Sequence, residues 1–155
     1  MLNETDGEFL TLHEIVKAAH RRLPANIWDY LVGGTETETT VRRNRLALDS
    51  IALRPRVLRD VSRIDCTGTL LGQRTRIPVA LAPIGGLESF EAGGGASVAK
   101  AAAEFGVFTI LSSVCQPGLE EVAAAASGPK IFQLYVRGDA AWVDDHVRRA
   151  IDAGY

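Results

Sequence analysis

Ser112, Gln133 and Tyr135 lie at the ends of two short apolar runs, and Gly85-Gly86 follows a third. A hydroxyl, an amide that both donates and accepts, and a phenol are neutral hydrogen-bonding groups. Paired glycines leave room for backbone amides and carbonyls to approach a ligand closely. Together these groups suit a flat aromatic ligand whose polar edge is read without a charge. Each has an ordinary structural reading when taken alone. Ser-Ser after a strand commonly makes a turn or a helix cap, and Gln in a strand commonly faces solvent. Their shared position at the ends of apolar runs is what points to a site.

The runs are 77–82, 107–111 and 131–136. They are too short, and too rich in β-branched and aromatic residues, for helices. An Ala-rich helical stretch follows each: about 94–105 closed by Gly106, 119–126 started by Pro117 and ended by Gly128-Pro129, and 140–153 closed by Gly154. This βαβαβα pattern predicts an α/β fold with a parallel sheet, which places its ligand at the C-terminal ends of the strands. Upstream, Thr11 and Glu14 have capping-box spacing and predict a helix over 12–22. Two more helices are predicted over 26–31, closed by Gly33-Gly34 in a left-handed turn, and over 37–50, with Val41, Leu46, Leu48 and Ile51 on its inner face. The arginine-rich segment 51–61 reads as extended, since Pro55 disfavours helix. Residues 67–71 and 74–77 flank Gly72-Gln73 as a hairpin beneath the first repeat. Residues 1–9 read as a flexible tail and 10–155 as one domain.

Composition narrows the classes of function. At 155 residues, with 46% hydrophobic and 23% charged residues, the chain has the make-up of a soluble globular domain. A net charge of −2 gives no case for nucleic acid or an anionic membrane as partner. Cys66 and Cys115 form no CxxC pair, and with three scattered histidines (His13, His20, His146) there is no metal pattern. The histidines are expected on the surface. Cys115 is expected to be a pocket-wall residue rather than a nucleophile, having no histidine close in sequence. The apolar stretches are too short to span a membrane and the first ten residues are polar, so a reducing cytoplasmic setting is expected.

Many of these residues recur in order in one family. Trp28-Asp29-Tyr30 with Gly33-Gly34, Arg43-Asn44-Arg45, Leu53 to Val61, Leu71-Gly72, Pro78, Ala82-Pro83, Leu111-Ser112-Ser113, Glu120-Glu121-Val122, Phe132-Gln133-Leu134-Tyr135 and Arg149-Ala150 with Gly154 carry the likeness. From about residue 10 onward the chain resembles the N-terminal part of the FMN-dependent 2-hydroxy-acid oxidases and dehydrogenases, such as glycolate oxidase, lactate oxidase and mandelate dehydrogenase.

The resemblance implies a (β/α)₈ barrel parent fold, of which this chain holds the N-terminal helices, the hairpin and three βα units. It implies FMN as cofactor, a small (S)-2-hydroxy acid as substrate, oxygen, a quinone or a cytochrome as electron acceptor, and a tetrameric assembly. The backbone of Pro83, Ile84 and Gly85 would line the flavin near N5. Ser112 and Gln133 would bond the pyrimidine side of the ring, with Leu134 and Tyr135 along the same edge. Tyr30 would bind the substrate carboxylate, where a core aromatic beside Trp28 is the plain alternative. Tyr135 would also contact the substrate oxygen. Whether the α-hydrogen leaves as hydride or as a proton is open.

Two departures from the family stand out. Glu91-Ala92-Gly93-Gly94-Gly95 replaces the usual His-Pro-x-Gly-Glu run, so that loop is expected to be looser or differently arranged. Val114 replaces a common aromatic, which would enlarge the substrate pocket. The family's general-base histidine, clamping arginines, flavin-N1 lysine and phosphate site would all lie beyond residue 155. The chain by itself is therefore expected to be catalytically inert, truncated before the fourth strand. Another FMN barrel, such as a type-2 isopentenyl-diphosphate isomerase, is the alternative enzyme reading.

Overall fold

A computed structural model describes residues 9–155. Apart from Phe9, the predicted tail lies outside the described residues. The chain forms two compact units divided between Arg59 and Asp60.

The N-terminal unit holds α1 (Leu12–Arg22), α2 (Ala25–Val32) and α3 (Thr39–Asp49). The Thr11–Glu14 capping box forms as its spacing predicts: Glu14 N donates to Thr11 Oγ1 at 3.4 Å and Thr11 N to Glu14 Oε2 at 3.1 Å. Pro24 then starts α2, where His20 and Trp28 stack with ring centroids 4.4 Å apart. Gly33 does not close α2 in the left-handed region. Its φ is −77°, and glycine is required there because a Cβ would lie 2.5 Å from the Asp29 carbonyl oxygen. The left-handed positions are Glu36 and Glu38, and the Glu38 carboxylate accepts from Gly34 N at 3.0 Å. The predicted inner face of α3 also differs, because Val41, Leu46, Leu48 and Ile51 are all exposed. Three short helices have too little apolar surface to enclose them, and Ala18 is the one described residue of these helices that is buried.

The C-terminal unit opens with the hairpin, β1 (Gly68–Leu70) antiparallel to β2 (Gln73–Thr75). It joins the N-terminal end of the parallel sheet through Arg76 N, which donates to Gly106 O at 2.8 Å, with the Arg76 guanidinium over the Phe105 ring. The sheet has the order β3 (Ala80–Leu81), β4 (Phe108–Ser112), β5 (Lys130–Gln133). Between the strands run α4 (Gly94–Phe105) and α5 (Leu119–Ala125), and α6 (Ala140–Asp152) follows β5. This is the predicted βαβαβα order.

Two strands of the parallel sheet are shorter than predicted, each for a physical reason. Pro78 has no N–H to give, and Val79 N bonds back to Ile77 O at 2.8 Å, so β3 joins the ladder only at Ala80. β5 ends at Gln133 because Tyr135 N turns to a side chain rather than to the neighbouring strand. The core is Ala99, Leu111, Cys115, Leu119 and Val122, with Phe132 and Tyr155 packed against it. α4 lies close on the sheet because it is made of small residues. A Cβ on Gly95 would lie 2.8 Å from Leu111 Cδ1.

Candidate functional site

Pairing register brings the predicted ligand contacts of the C-terminal unit together. Ser112 at the end of β4 lies opposite Gln133 at the end of β5. Pro83, Ile84 and Gly85 follow β3 at the same end of the sheet. Ser112 is only 3% exposed, and its hydroxyl makes two bonds: it donates to Gln133 Oε1 at 2.9 Å and accepts from Val114 N at 3.3 Å. The amide of Gln133 is thereby oriented. Its oxygen is occupied and its NH₂ is the group left to donate to a ligand.

The two strands stay tied beyond the ladder. Ser113 N donates to Gln133 O at 2.9 Å, and Tyr135 N donates to Ser113 Oγ at 3.0 Å. Tyr135 is held there by its backbone while its side chain remains 57% exposed. Leu134 lines an apolar groove with Phe108, Ile131, Val147 and Ile151. Tyr30 belongs to the other unit, on α2, and is 75% exposed.

The loop after β3 is shaped by what it must avoid. A Cβ on Gly85 would come 2.7 Å from Val114 Cγ2, so Val114 occupies the space that a side chain there would need. Gly86 adopts φ +66°, a left-handed value suited to glycine, and its N–H donates to Val114 O at 3.0 Å. The Gly93-Gly94-Gly95 run is arranged rather than loose. Gly93 N donates to Glu91 Oε2 at 2.8 Å, and Gly95 N donates to Gln116 O at 2.9 Å.

The bonds that orient Ser112 and Gln133 are between neutral groups. Nearby, Glu88 accepts from Gln116 N at 3.0 Å, and that backbone N–H holds its carboxyl below the usual range. Burial pushes the Cys115 thiol up, away from the thiolate a nucleophile needs. His13 and His20 are exposed, but His146 is half-buried, stacked on Trp142 at 3.9 Å between centroids. Among the described residues there is no cluster able to hold a metal ion, and no helix is long and apolar enough to cross a membrane. Glu88 and the Ser113 hydroxyl are structural parts of the site that residue typing missed. The signal for Ser113 lay in its pairing with Ser112; a solitary Glu in a loop carries none.

A family model described as FMN-dependent dehydrogenase matches residues 19–155. The chain belongs to that family. An L-lactate dehydrogenase of Caulobacter sp. (strain K31) is 44% identical over 138 residues, covering 89% of this chain and 36% of that protein. Glycolate oxidase 1 of Zea mays is 40% identical over 149 residues, covering 96% and 40%. A crystal structure of mandelate oxidase superposes with a TM-score of 0.87 at 37% identity, covering 94% of this chain and 42% of the other. The chain thus spans about two fifths of the length of the curated relatives it matches.

Members of the FMN-dependent dehydrogenase family use FMN. The donor set at the strand ends fits that group. The pyrimidine edge of a flavin carries carbonyl acceptors, and the Gln133 NH₂, aimed by Ser112, is a neutral donor that matches them. The glycine at 85 keeps the backbone of the β3 loop free of a side chain.

Proposed function

We propose that this chain supplies the flavin-ring half of the active site of an enzyme that oxidises a small (S)-2-hydroxy acid to the 2-oxo acid. The observation that carries this reading is the Ser112–Gln133 pair, set in register at the C-terminal edge of a parallel sheet in a chain of an FMN-dependent family. When bound, FMN supplies the two-electron acceptor at N5. The chain's own residues bind and orient. Gln133, aimed by the buried Ser112 hydroxyl, holds the pyrimidine edge. The backbone of Pro83, Ile84 and Gly85 lies against the ring near N5, and Leu134 lies along the pyrimidine edge. Tyr135 touches both the ring edge and the substrate oxygen, and Tyr30 binds the substrate carboxylate. The proton-accepting histidine and the phosphate anchor belong to other parts of the whole protein.

We read the parent fold as a (β/α)₈ barrel, with residues 10–155 forming its N-terminal helices, hairpin and first three βα units. Support comes from the parallel order β3-β4-β5 with a helix after each strand. Among the described residues β5 pairs only with β4, and beside it runs the groove of Phe108, Ile131, Leu134, Val147 and Ile151, apolar as a surface awaiting further elements would be.

The test uses the protein that carries this chain. It is expected to purify yellow and to bleach anaerobically on addition of lactate, glycolate or mandelate. Tyr30→Phe is expected to keep its flavin and raise KM by about tenfold, as loss of one hydrogen bond to a charged group implies. A colourless protein, or one whose flavin no 2-hydroxy acid reduces, contradicts the reading.

A further inference from the structure

Glu88 touches neither Ser112 nor Gln133 through its hydrogen bond, yet it spans two loops of the site. It lies in the 3-10 turn 87–89, three residues beyond Gly85, and its carboxylate reaches across to the loop after β4, where it accepts from Gln116 N at 3.0 Å. Two backbone bonds flank that contact. Gly86 N donates to Val114 O at 3.0 Å, and Gly95 N donates to Gln116 O at 2.9 Å. Three segments therefore meet around Gln116: the loop after β3, the loop after β4 and the start of α4. The glycines make the meeting possible. Gly94 adopts φ +49°, and a Cβ there would lie 2.1 Å from Gln116 O. Beneath them, Cys115 and Leu111 pack where a side chain at position 95 would be. The Glu88 carboxylate brings a charge to this junction. The backbone N–H of Gln116 stabilises its ionised form, so the bond is charge-assisted at neutral pH.

We propose that Glu88 is a positioning residue, locking the β3 loop to the β4 loop so that the Pro83-Ile84-Gly85 backbone and the Ser112–Gln133 pair hold one geometry toward the ring. This rests on the flavin reading of those strand ends. The two loops leave separate strands, and the bonds from Gly86 N to Val114 O and from Gln116 N to the Glu88 carboxylate both join them directly. A ring gripped by one loop at its face and by the other at its edge depends on their relative position, and errors there weaken binding without touching any contact.

The test compares wild-type protein with Glu88→Ala and Glu88→Gln by amide hydrogen exchange and by FMN titration of the apoprotein. Glu88→Ala is expected to speed exchange at the Gln116 amide by about tenfold or more, to leave the Ser113 amide on the β4–β5 side unchanged, and to weaken FMN by about tenfold. Glu88→Gln keeps an acceptor oxygen and is expected to restore most of both. Three results overturn the inference: unchanged exchange at Gln116, faster exchange at Gln116 with FMN affinity intact, or an equal rise at Ser113 that marks general loosening. A wild-type protein that binds no FMN sinks the flavin reading instead, and the contrast between the Gln116 and Ser113 amides still decides whether the lock exists.

Discussion

Ser112 and Gln133 face each other at the ends of adjacent parallel strands, and the Ser112 hydroxyl fixes the Gln133 amide by a 2.9 Å bond. The serine is buried, so its role is to aim the glutamine rather than to lie open itself. Ser112→Ala leaves Gln133 Oε1 and Val114 N without this partner. FMN affinity is expected to fall by about tenfold, equivalent to about 1–2 kcal/mol for an unmade bond. A fluorescence titration checks this, and Ser112→Thr, which keeps the hydroxyl, is expected to bind more tightly than the alanine variant.

Gly94 and Gly72 both have positive φ, but only Gly94 is crowded. A methyl group at Gly72 would meet nothing within 4 Å, whereas at Gly94 the Gln116 carbonyl oxygen blocks it. Gly72→Ala is expected to cost about 1 kcal/mol, the left-handed penalty alone. Gly94→Ala adds a backbone clash and is expected to cost about 3 kcal/mol or more. Chemical denaturation of the two variants side by side measures the difference.

Tyr155 donates from its hydroxyl to Leu119 O at 2.9 Å, and burial pushes its phenol up to about 12. Its folded value is raised, so the neutral form is the one the fold favours. The contribution is fully present below the unfolded value of about 10 and is lost as pH rises through about 12. Absorbance titration is expected to show one phenol ionising near 12. Tyr155→Phe should remove that step and cost about 1 kcal/mol through the lost bond.

Arg149 joins α6 to α5 by a bidentate pair with Glu120, at 2.6 and 3.0 Å. Both side chains are about half exposed, which limits the pair to about 0.5 kcal/mol in a double-mutant cycle. The guanidinium holds the Glu120 carboxyl below its usual value. The contribution is therefore present above pH 4.5 and is lost as pH falls through the lowered folded value. Molar salt should shrink the coupling further.

The site was legible where chemistry followed periodicity. Short apolar runs followed by Ser112 and Gly85, and one carrying Gln133, marked the succession of strands and their ligand end, because apolar runs and glycine breakers are local properties; that the third strand stops at Gln133 was not legible. Glu88 was not legible, since its partner is a backbone N–H 28 residues away and no local pattern marks it. The same limit hid the reason for Gly33: spacing suggested a left-handed cap, while the structure requires room for the Asp29 carbonyl. The inner face of α3 failed differently. Its apolar residues were read correctly as apolar, but periodicity does not say whether anything covers them.

A crystal structure of the protein with FMN bound tests the central claim most directly. The ring is expected against the backbone of Pro83, Ile84 and Gly85, with the Gln133 NH₂ within hydrogen-bonding distance of its pyrimidine edge and the Ser112 hydroxyl still on Gln133 Oε1. A ring lodged instead in the apolar groove of Phe108, Ile131 and Val147, or one whose pyrimidine edge makes no contact with Gln133, would contradict it.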